Sequence, residues 1–329
     1  MWRRVRPESA IATIATVAIV LAIPLVTDTF TTFQFSLVGA YVIACIGLNI
    51  LTGYSGQISL GNGAFMAFGG YTAALLMKDA GMPYGATIPI AGLVAGVLGF
   101  LFGIPALRLS GIYLALATFA LALALSPVIN NYDRLTGGNG GITLPAVQAP
   151  AWTQLSNEQF EYFLAWLIAG LLFVFARALM RSGAGRALSA IRDGQTAAVA
   201  MGVDINYYKT LAFGLSAFYA GVAGALLAII TAFVHPDNFN LSLSIALLTA
   251  VVIGGLGLDL GPLFAGVLLV WLPFLAEKTS GLHLGPITVP GKPDILYGVA
   301  LIVIIFVAPS GVAGLLGRAA RAIRARRDT

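Results

Sequence analysis

The sequence predicts an all-α polytopic membrane protein with about ten transmembrane helices and both termini in the cytoplasm. Of its 329 residues, 59% are hydrophobic and only 9% are charged, whereas a soluble chain carries about 25% charged residues. The apolar residues form long runs without charge, and a helix of about 20 such residues spans the hydrocarbon core. This composition excludes a soluble enzyme, a disordered chain and a nucleic-acid-binding domain.

The charge-free runs give the membrane spans in chain order. The second run is too long for one helix and long enough for two, so nine runs predict ten crossings. The fifth is short, but Arg177 at its end can extend its charged group to the interface. The runs are 9–27, 29–77, 80–107, 109–132, 162–176, 210–236, 238–258, 260–276 and 295–317.

The positive charges predict the orientation. With a cytoplasmic N-terminus and alternating crossings, fourteen of the 18 Lys and Arg residues fall on the cytoplasmic side, as the positive-inside rule requires. The first run follows three arginines like a signal peptide, but no cleavage site follows it, so we interpret it as a membrane helix. We expect one transmembrane domain over 1–329, with a cytoplasmic loop at about 181–209, an external loop at about 131–159 and a basic cytoplasmic tail at 318–329.

A glycine-rich stretch, Thr52–Gly63, interrupts the second run. A helix that resumed at Ala64 and ended at Met77 would be about 21 Å long, which is short of the roughly 30 Å required. We therefore expect a glycine-interrupted span near 52–65, with part of the stretch at membrane depth. Non-helical backbone persists there only inside protein or beside a wet cavity.

A second glycine cluster, Gly254-Gly255-Leu256-Gly257, lies between the eighth and ninth runs and predicts a tight turn on the cytoplasmic side. Dividing the chain into two sets of five spans does not bring the two glycine clusters into register. The sequence therefore gives no evidence for an internal repeat.

Groups that would carry catalysis or bind a metal are missing from the sequence pattern. No predicted span contains paired carboxylates, and His235 and His283 both fall in external loops without metal-ligand spacing. The one cysteine, Cys45, lies in an apolar run and reads as a packing residue. The sequence also lacks a phosphate-binding loop. We expect no enzyme activity, no metal and no cofactor, so an energised transporter would need a partner to hydrolyse nucleotide.

The cytoplasmic loop predicts two short amphipathic helices. Leu188 and Ile191 lie three residues apart on one face of the first. Asp193 is positioned to cap a second helix, Thr196–Met201, which ends at Gly202. Such a loop suits docking to another protein, although a helix lying on the anionic inner leaflet has the same pattern.

Several blocks, in this order, resemble the membrane subunits of branched-chain amino-acid ABC importers, specifically the LivM-type branch. The resemblance covers about 40–315. The blocks are Leu51–Gly61 with Phe65, Leu107–Tyr113 with Thr118, Thr136–Gly141, Arg192-Asp193 with Ala197-Ala198 and Gly202, Lys209 with Phe213, Ser216 and Gly221, Pro236 with Phe239 and Ser244, Gly254–Gly257 with Gly261-Pro262, and Pro309–Gly311.

The resemblance implies a subunit of a heteromeric importer. Its partners would be a second related permease subunit, two cytoplasmic ATPases that bind the ATP, and a periplasmic or lipid-anchored binding protein. The loop would couple to the ATPases, and Ala197-Ala198 with Gly202 match a Glu-Ala-Ala-x-x-x-Gly loop in which Thr196 replaces the glutamate. The residues expected to couple are Arg186, Arg192, Asp193, Ala197, Ala198 and Gly202.

An uncharged path suits a zwitterion with an aliphatic side chain. The candidate lining residues are Ser55, Gln57, Ser59, Asn62, Tyr71, Tyr113 and Thr118. The glycines expected to have structural roles are Gly53, Gly56, Gly61, Gly254, Gly255 and Gly257. The alternative is that these polar groups only bond between helices while the glycines permit close packing.

Other functions stay open at this point. Related importers carry urea, amides or other amino acids. An ion-coupled secondary carrier would need a buried ionisable site, and a polytopic membrane enzyme would need a catalytic cluster near one interface. Neither feature is visible in the sequence.

Overall fold

A computed structural model describes residues 23–24, 26–106, 109, 111–150 and 153–279, with short stretches at 283–284, 287–288, 295, 298–299, 302 and 311–314. Most of the predicted first span, most of the last span, Arg108 and the basic tail at 318–329 lie outside the described residues. The described part is built from helices, as the sequence predicts for an all-α polytopic membrane protein.

The secondary structure consists of long apolar helices joined by short connections. The helices are α1 Thr29–Leu48, α2 Asn62–Lys78, α3 Tyr84–Ala106, α4 Ile112–Asn131, α5 Asp133–Thr136, α6 Asn157–Arg181, α7 Gly183–Asp193, α8 Gln195–Ala200, α9 Ile205–Thr231, α10 Leu241–Gly254 and α11 Gly261–Thr279. A π-helical turn at Asn49–Tyr54 extends α1, and 3-10 turns lie at Gly138–Gly140 and Pro236–Phe239. Two-residue strands pair Ile142–Thr143 (β1) with Phe233–Val234 (β2), and His283–Leu284 (β3) with Ile287–Thr288 (β4).

Six segments of the described ranges are long and apolar enough to cross a membrane, and Gly261–Leu275 is a shorter apolar helix. The six are Thr29–Tyr54, Tyr84–Pro105, Ile112–Asn131, Asn157–Arg181, Ile205–Thr231 and Pro236–Gly254. Each overlaps one of the predicted runs. The chain is therefore a polytopic helical membrane protein.

Two helices form the core. The most apolar window of α1 with its π-helical turn is 83% buried and that of α9 is 89% buried, whereas the window in α6 is only 17% buried. A helix that is apolar on every face belongs inside a bundle. α9 packs against α1, α2 and α3, and α1 also packs against α6 and α11.

Glycines bring α9 close to its neighbours. On α3, Gly92, Gly96, Gly99 and Gly103 recur every three or four residues, and a Cβ on each would press against α9, chiefly on Phe213, Ala217 and Phe218. On α2, a Cβ on Gly69 would collide with the backbone of Gly221. Small residues let membrane helices approach closely, so these ridges set the spacing within the core.

The fifth predicted span is longer than its charge-free run. That run is 162–176, but α6 extends over Asn157–Arg181 because charged residues occupy both of its ends. Ser156 and Gln159 form a capping box at its start. Arg177 does not act alone at the interface: its Nε lies 3.2 Å from Asp259 Oδ2 in the turn after α10.

The glycine interruption follows the π-helical turn. Residues 56–61 are not helical, and α2 begins at Asn62, two residues before the predicted Ala64. The second glycine cluster forms the turn between α10 and α11, as predicted: α10 ends at Gly254 and α11 begins at Gly261. One end of the bundle carries this turn, the π-helical turn and helices α7 and α8, and we call it the loop end.

Candidate functional site

The candidate site lies at the loop end, where α7 meets the π-helical turn. The arginine expected in the coupling loop, Arg192, donates from Nη1 to the carbonyl oxygen of Gly53 at 2.8 Å. Its Nε also lies 2.9 Å from Asp193 Oδ1, and its side chain is 40% exposed. Arg192 is therefore the direct polar contact between the loop and the interrupted part of α1.

Two glycines make room for this contact. A Cβ on Gly56 would lie 3.0 Å from Arg192 Cγ, and a Cβ on Gly257 would lie 3.1 Å from Arg192 Nη1. Gly56 and Gly257 also have positive φ values of 73° and 69°, which side chains rarely adopt. The guanidinium thus lies in a recess that only glycines leave open.

Asn49 connects the π-helical turn to the turn between α10 and α11 through two hydrogen bonds. Its Oδ1 accepts from the N–H of Gly257 at 2.8 Å, and its Nδ2 donates to the carbonyl of Leu258 at 3.1 Å. A Cβ on Gly53 would collide with Asn49 Oδ1 and the Gly257 nitrogen. The predicted structural glycines Gly53 and Gly257 are therefore parts of one junction.

An ion pair adds α6 to this junction. Tyr54 donates to Asp259 Oδ1 at 3.1 Å, and Asp259 pairs with Arg177. These side chains border a shallow, open pocket between α1 and α6. We call Asn49, Gly53, Arg192, Gly257 and Asp259, with their bonded neighbours, the junction.

The rest of the predicted coupling residues lie beside the junction. The two predicted helices are present as α7 and α8, and Gly202 has the expected left-handed conformation with φ 81°. Asp193 does not cap α8, because Gly194 occupies the cap position and the Asp193 carboxylate binds Arg192 instead. Ala198 is buried, whereas Arg186, Ala197 and Gly202 are exposed.

Ser55 and Gln57 anchor the glycine-rich stretch. Gln57 donates from Nε2 to Ser55 Oγ at 2.6 Å and to the carbonyl of Lys209 at 3.3 Å. Thr52 donates to the Gln57 carbonyl at 3.0 Å. Gln57 is therefore bonded to the start of α9, an arrangement that fits the interhelical-bonding alternative.

Three other predicted lining residues come together where α2 begins. Thr118 Oγ1 accepts from the N–H of Leu60 at 2.9 Å, and Ser59 Oγ accepts from the N–H of Gly61. Asn62 Oδ1 accepts from Ser216 at 3.4 Å. Within the part of the chain that the structure describes, Asn62 Nδ2 has no hydrogen-bond partner although the residue is 1% exposed.

Tyr71 and Tyr113 are not part of this cluster. Tyr71 lies on α2 nine residues after Asn62, which is half a helical revolution away, and its hydroxyl is buried without a partner in the described structure. Tyr113 is 69% exposed at the start of α4. Among the remaining predicted glycines, Gly61 packs against Thr118, while Gly254 and Gly255 form the turn after α10.

Sequence reasoning missed Asn49 and Asn240, and it named Ser244 only as part of the family resemblance. A polar residue inside an apolar run was the available signal for each, because a buried polar group needs a partner. The partner of Asn49 is more than two hundred residues away in sequence, so the pattern alone did not identify it. Groups of three or more metal-binding side chains are also absent among the described residues.

Residues 30–308 match the family described as "Branched-chain amino acid transport system / permease component". The chain is 35% identical over 281 residues to the Escherichia coli high-affinity branched-chain amino acid transport system permease protein LivM. This alignment covers 78% of this chain and 66% of that protein. The corresponding LivM of Salmonella typhimurium is 37% identical over 70% of this chain and 60% of its own length. The matches therefore cover less than two thirds of either LivM protein. The E. coli permease protein LivH is 25% identical over 83% of this chain and 91% of its length. No solved structure matches the chain.

Proposed function

The chain belongs to the family of permease components of branched-chain amino acid transport systems, and from this premise we propose that it is the membrane-spanning subunit of an ATP-driven, binding-protein-dependent importer. Its cargo would be branched-chain or related amino acids. It is a multi-pass protein of the inner membrane, in keeping with its apolar helices and permease relatives.

The contact between Arg192 and Gly53 supports this proposal most directly. α7 and α8 form a compact unit at the surface, and Arg192 connects that unit to the segment where α1 stops being helical. A force applied to α7 by a partner would therefore act on the backbone that leads into the glycine-rich stretch. A hydrogen bond to a charged donor is among the stronger ones, with a typical contribution of about 1.5–3 kcal/mol.

The proposed assembly contains partners that supply what this chain lacks. Two cytoplasmic ATPases would bind ATP and press on α7 and α8, and a second related permease subunit would complete the pathway. A periplasmic or lipid-anchored binding protein would deliver the amino acid. The proposed topology keeps ten crossings and both termini in the cytoplasm, with the coupling loop at 181–209 on the same side. The subunit itself would hold no cofactor and catalyse no reaction.

The proposed path uses hydroxyl and amide groups. The cluster of Ser59, Asn62 and Thr118 forms where the interrupted segment meets α2 and α4, and it is uncharged, so it can replace water around a zwitterion without trapping either charge. Gln57 and Ser55 would hold the segment in position rather than contact the solute, because their polar groups bond to each other and to α9. Tyr71 and Tyr113 would contribute separately, to the outer and the inner mouth of the path.

The test is a substitution of Arg192 in the complete importer reconstituted in vesicles with its binding protein. Arg192→Ala should reduce amino-acid uptake at least tenfold while ATP hydrolysis continues, because the loop no longer moves the interrupted helix. The matched control is Arg181→Ala, since Arg181 is an exposed arginine at the end of α6 that lies outside the predicted coupling residues. Normal uptake by Arg192→Ala would remove the coupling assignment.

The same vesicles test the substrate and the function class. Uptake should require ATP and should be greatest for leucine, isoleucine or valine in a panel that includes other amino acids and urea. Preferential uptake of urea or an amide would reassign the cargo. Accumulation by the isolated chain with only an ion gradient would replace the importer by a secondary carrier.

A further inference from the structure

The N-terminal ends of α2 and α10 meet inside the bundle. The N–H of Gly63, in the first turn of α2, donates to Ser244 Oγ in the first turn of α10 at 3.0 Å. A Cβ on Gly63 would lie 3.2 Å from the carbonyl oxygens of Phe239 and Asn240, which immediately precede α10. Further along α2, Gly70 lies against the ring of Phe239, which precedes α10. From their adjoining starts, the two helices therefore run in opposite directions.

α2, and the α-helical part of the span Pro236–Gly254, are each shorter than the membrane. α2 has 17 residues and α10 has 14, which correspond to about 26 Å and 21 Å in a core of roughly 30 Å. α10 ends at the loop end, whereas α2 runs from the cluster toward the opposite end. Their shared start therefore lies within the hydrocarbon region.

Two helix N-termini at one point create a region of positive potential. The first turn of a helix carries N–H groups without partners in the helix and about half a positive charge. Gly61 precedes α2 and provides no side-chain cap, whereas at α10 the Oδ1 atom of Asn240 accepts from the N–H of Leu243. The region attracts an anion: the side chains beside the two helix starts, Asn62, Ser216 and Ser244, are uncharged, and the carboxylate of Asp237 in the preceding 3-10 turn is exposed and lies beside His235.

The second, independent observation is the amide of Asn62, the first residue of α2. This side chain is buried, with Oδ1 facing Ser216 and Nδ2 lacking any partner in the described structure. A buried donor left unpaired typically costs about 1–3 kcal/mol. A carboxylate oxygen is the kind of acceptor that would satisfy Nδ2 and the helix N-termini together.

The start of α10 is open on one side. Asn240 and Ser242 are exposed, although the carbonyl of Asn240 approaches Gly63 in the first turn of α2. Exposed polar groups at such a depth face a water-filled cavity or another subunit rather than lipid. α4 lies beside the start of α2, where Thr118 accepts from the N–H of Leu60.

We propose that the adjoining N-terminal ends of α2 and α10, with Asn62 Nδ2, bind the carboxylate of the transported solute transiently at membrane mid-depth. This inference rests on the proposed import function. It assigns the orientation of the solute in the path: the carboxylate faces the two helix ends, and the aliphatic side chain lies toward the apolar face of α4. Movement of α4 away from Leu60 would admit the solute.

Thiol modification tests the local potential without requiring transport. In the complete complex, Ser242→Cys should react with a small anionic methanethiosulfonate reagent several-fold to about tenfold faster than with a cationic one, after correction for their reactivities with a free thiol. Val174→Cys is the control, since Val174 lies on the exposed apolar face of α6 and should react with neither. The native Cys45 is buried and adds no background. Equal or reversed rates, or no reaction at position 242, would overturn the proposal.

Substitution of Asn62 tests the role of the amide. Asn62→Asp introduces a like charge beside the solute carboxylate and should reduce uptake at least tenfold, with assembly and ATP hydrolysis retained. The control is Asn130→Asp, which makes the same chemical change at another amide with an unpartnered buried atom, near the opposite end of α4. Normal uptake by Asn62→Asp would refute the site. A parent complex that transports no amino acid would instead refute the proposed function, whatever the labelling at position 242.

Discussion

At the residue scale, the junction depends on glycines, which have no side chain, as well as on side chains that form hydrogen bonds. The carbonyl of Gly53 is available to Arg192 because the chain can approach Asn49 and Gly257 without a Cβ in between. The amide of Asn49 then joins α1 to the turn after α10 with two hydrogen bonds. A change of one methyl group at Gly53 therefore affects three elements.

We expect Gly53→Ala to destabilise the protein by about 1–3 kcal/mol, because the added methyl overpacks the junction. Gly170→Ala, in an exposed part of α6 with open space around it, should be neutral or slightly stabilising, as alanine favours a helix. The midpoint of thermal unfolding in detergent measures both. An unchanged midpoint for Gly53→Ala would show that the junction is looser than its contacts indicate.

The polar residues of this region were identifiable from the sequence because each interrupts an apolar run, and the glycines because they cluster. The sequence did not show which of the polar residues form anchoring hydrogen bonds and which keep an unpartnered polar group. The Nε2 atom of Gln57 has two acceptors, one of them the Lys209 carbonyl 152 residues away, whereas the Nδ2 atom of Asn62 has none in the described structure. Such pairing depends on tertiary structure, which local composition does not encode.

At the element scale, the spacing of α3 against α9 follows from a ridge of glycines. Gly92, Gly96, Gly99 and Gly103 lie along one face, while Leu93, Val97 and Leu101 are exposed on the other. The helix is apolar all round, so hydropathy predicts that it spans the membrane but not which face it buries. The glycine spacing contains that information.

Gly99→Leu should force α3 away from Ala217 and lower the yield of folded protein severely, because no neighbouring backbone can move aside without separating the two helices. Gly170→Leu makes the same change on a helix face with open space and should fold normally. Size-exclusion chromatography of the detergent-solubilised protein distinguishes the two results. A monodisperse Gly99→Leu protein with an unchanged melting midpoint would contradict the close-packing role.

At the scale of the whole molecule, burial separates a core from a periphery. α1 and α9 are enclosed, whereas α4 and α6 leave most of their apolar surface uncovered within this chain. Membrane spans are predictable from charge-free runs because lipid excludes charge. Their ends are less so, since α6 tolerates acidic and basic residues in its terminal turns. Partners or lipid would cover the remaining surface.

The proposed orientation is testable by labelling single cysteines in intact cells. Arg134→Cys lies in the exposed segment after α4 and Gln195→Cys at the start of α8. If the loop end is cytoplasmic, an impermeant thiol reagent should modify position 134 in intact cells and position 195 only after permeabilisation. The opposite pattern would invert the topology and, with it, the assignment of α7 and α8 to ATPase contact.

The π-helical turn at Asn49–Tyr54 has a mechanical consequence. A π turn holds one residue more than the α turn it replaces, so its conversion would advance every following residue by about 1.5 Å along the axis and about 100° around it. Arg192 donates a hydrogen bond to the carbonyl of Gly53 inside this turn. A small displacement of α7 at the protein surface would thereby become a rotation of the chain that enters the bilayer.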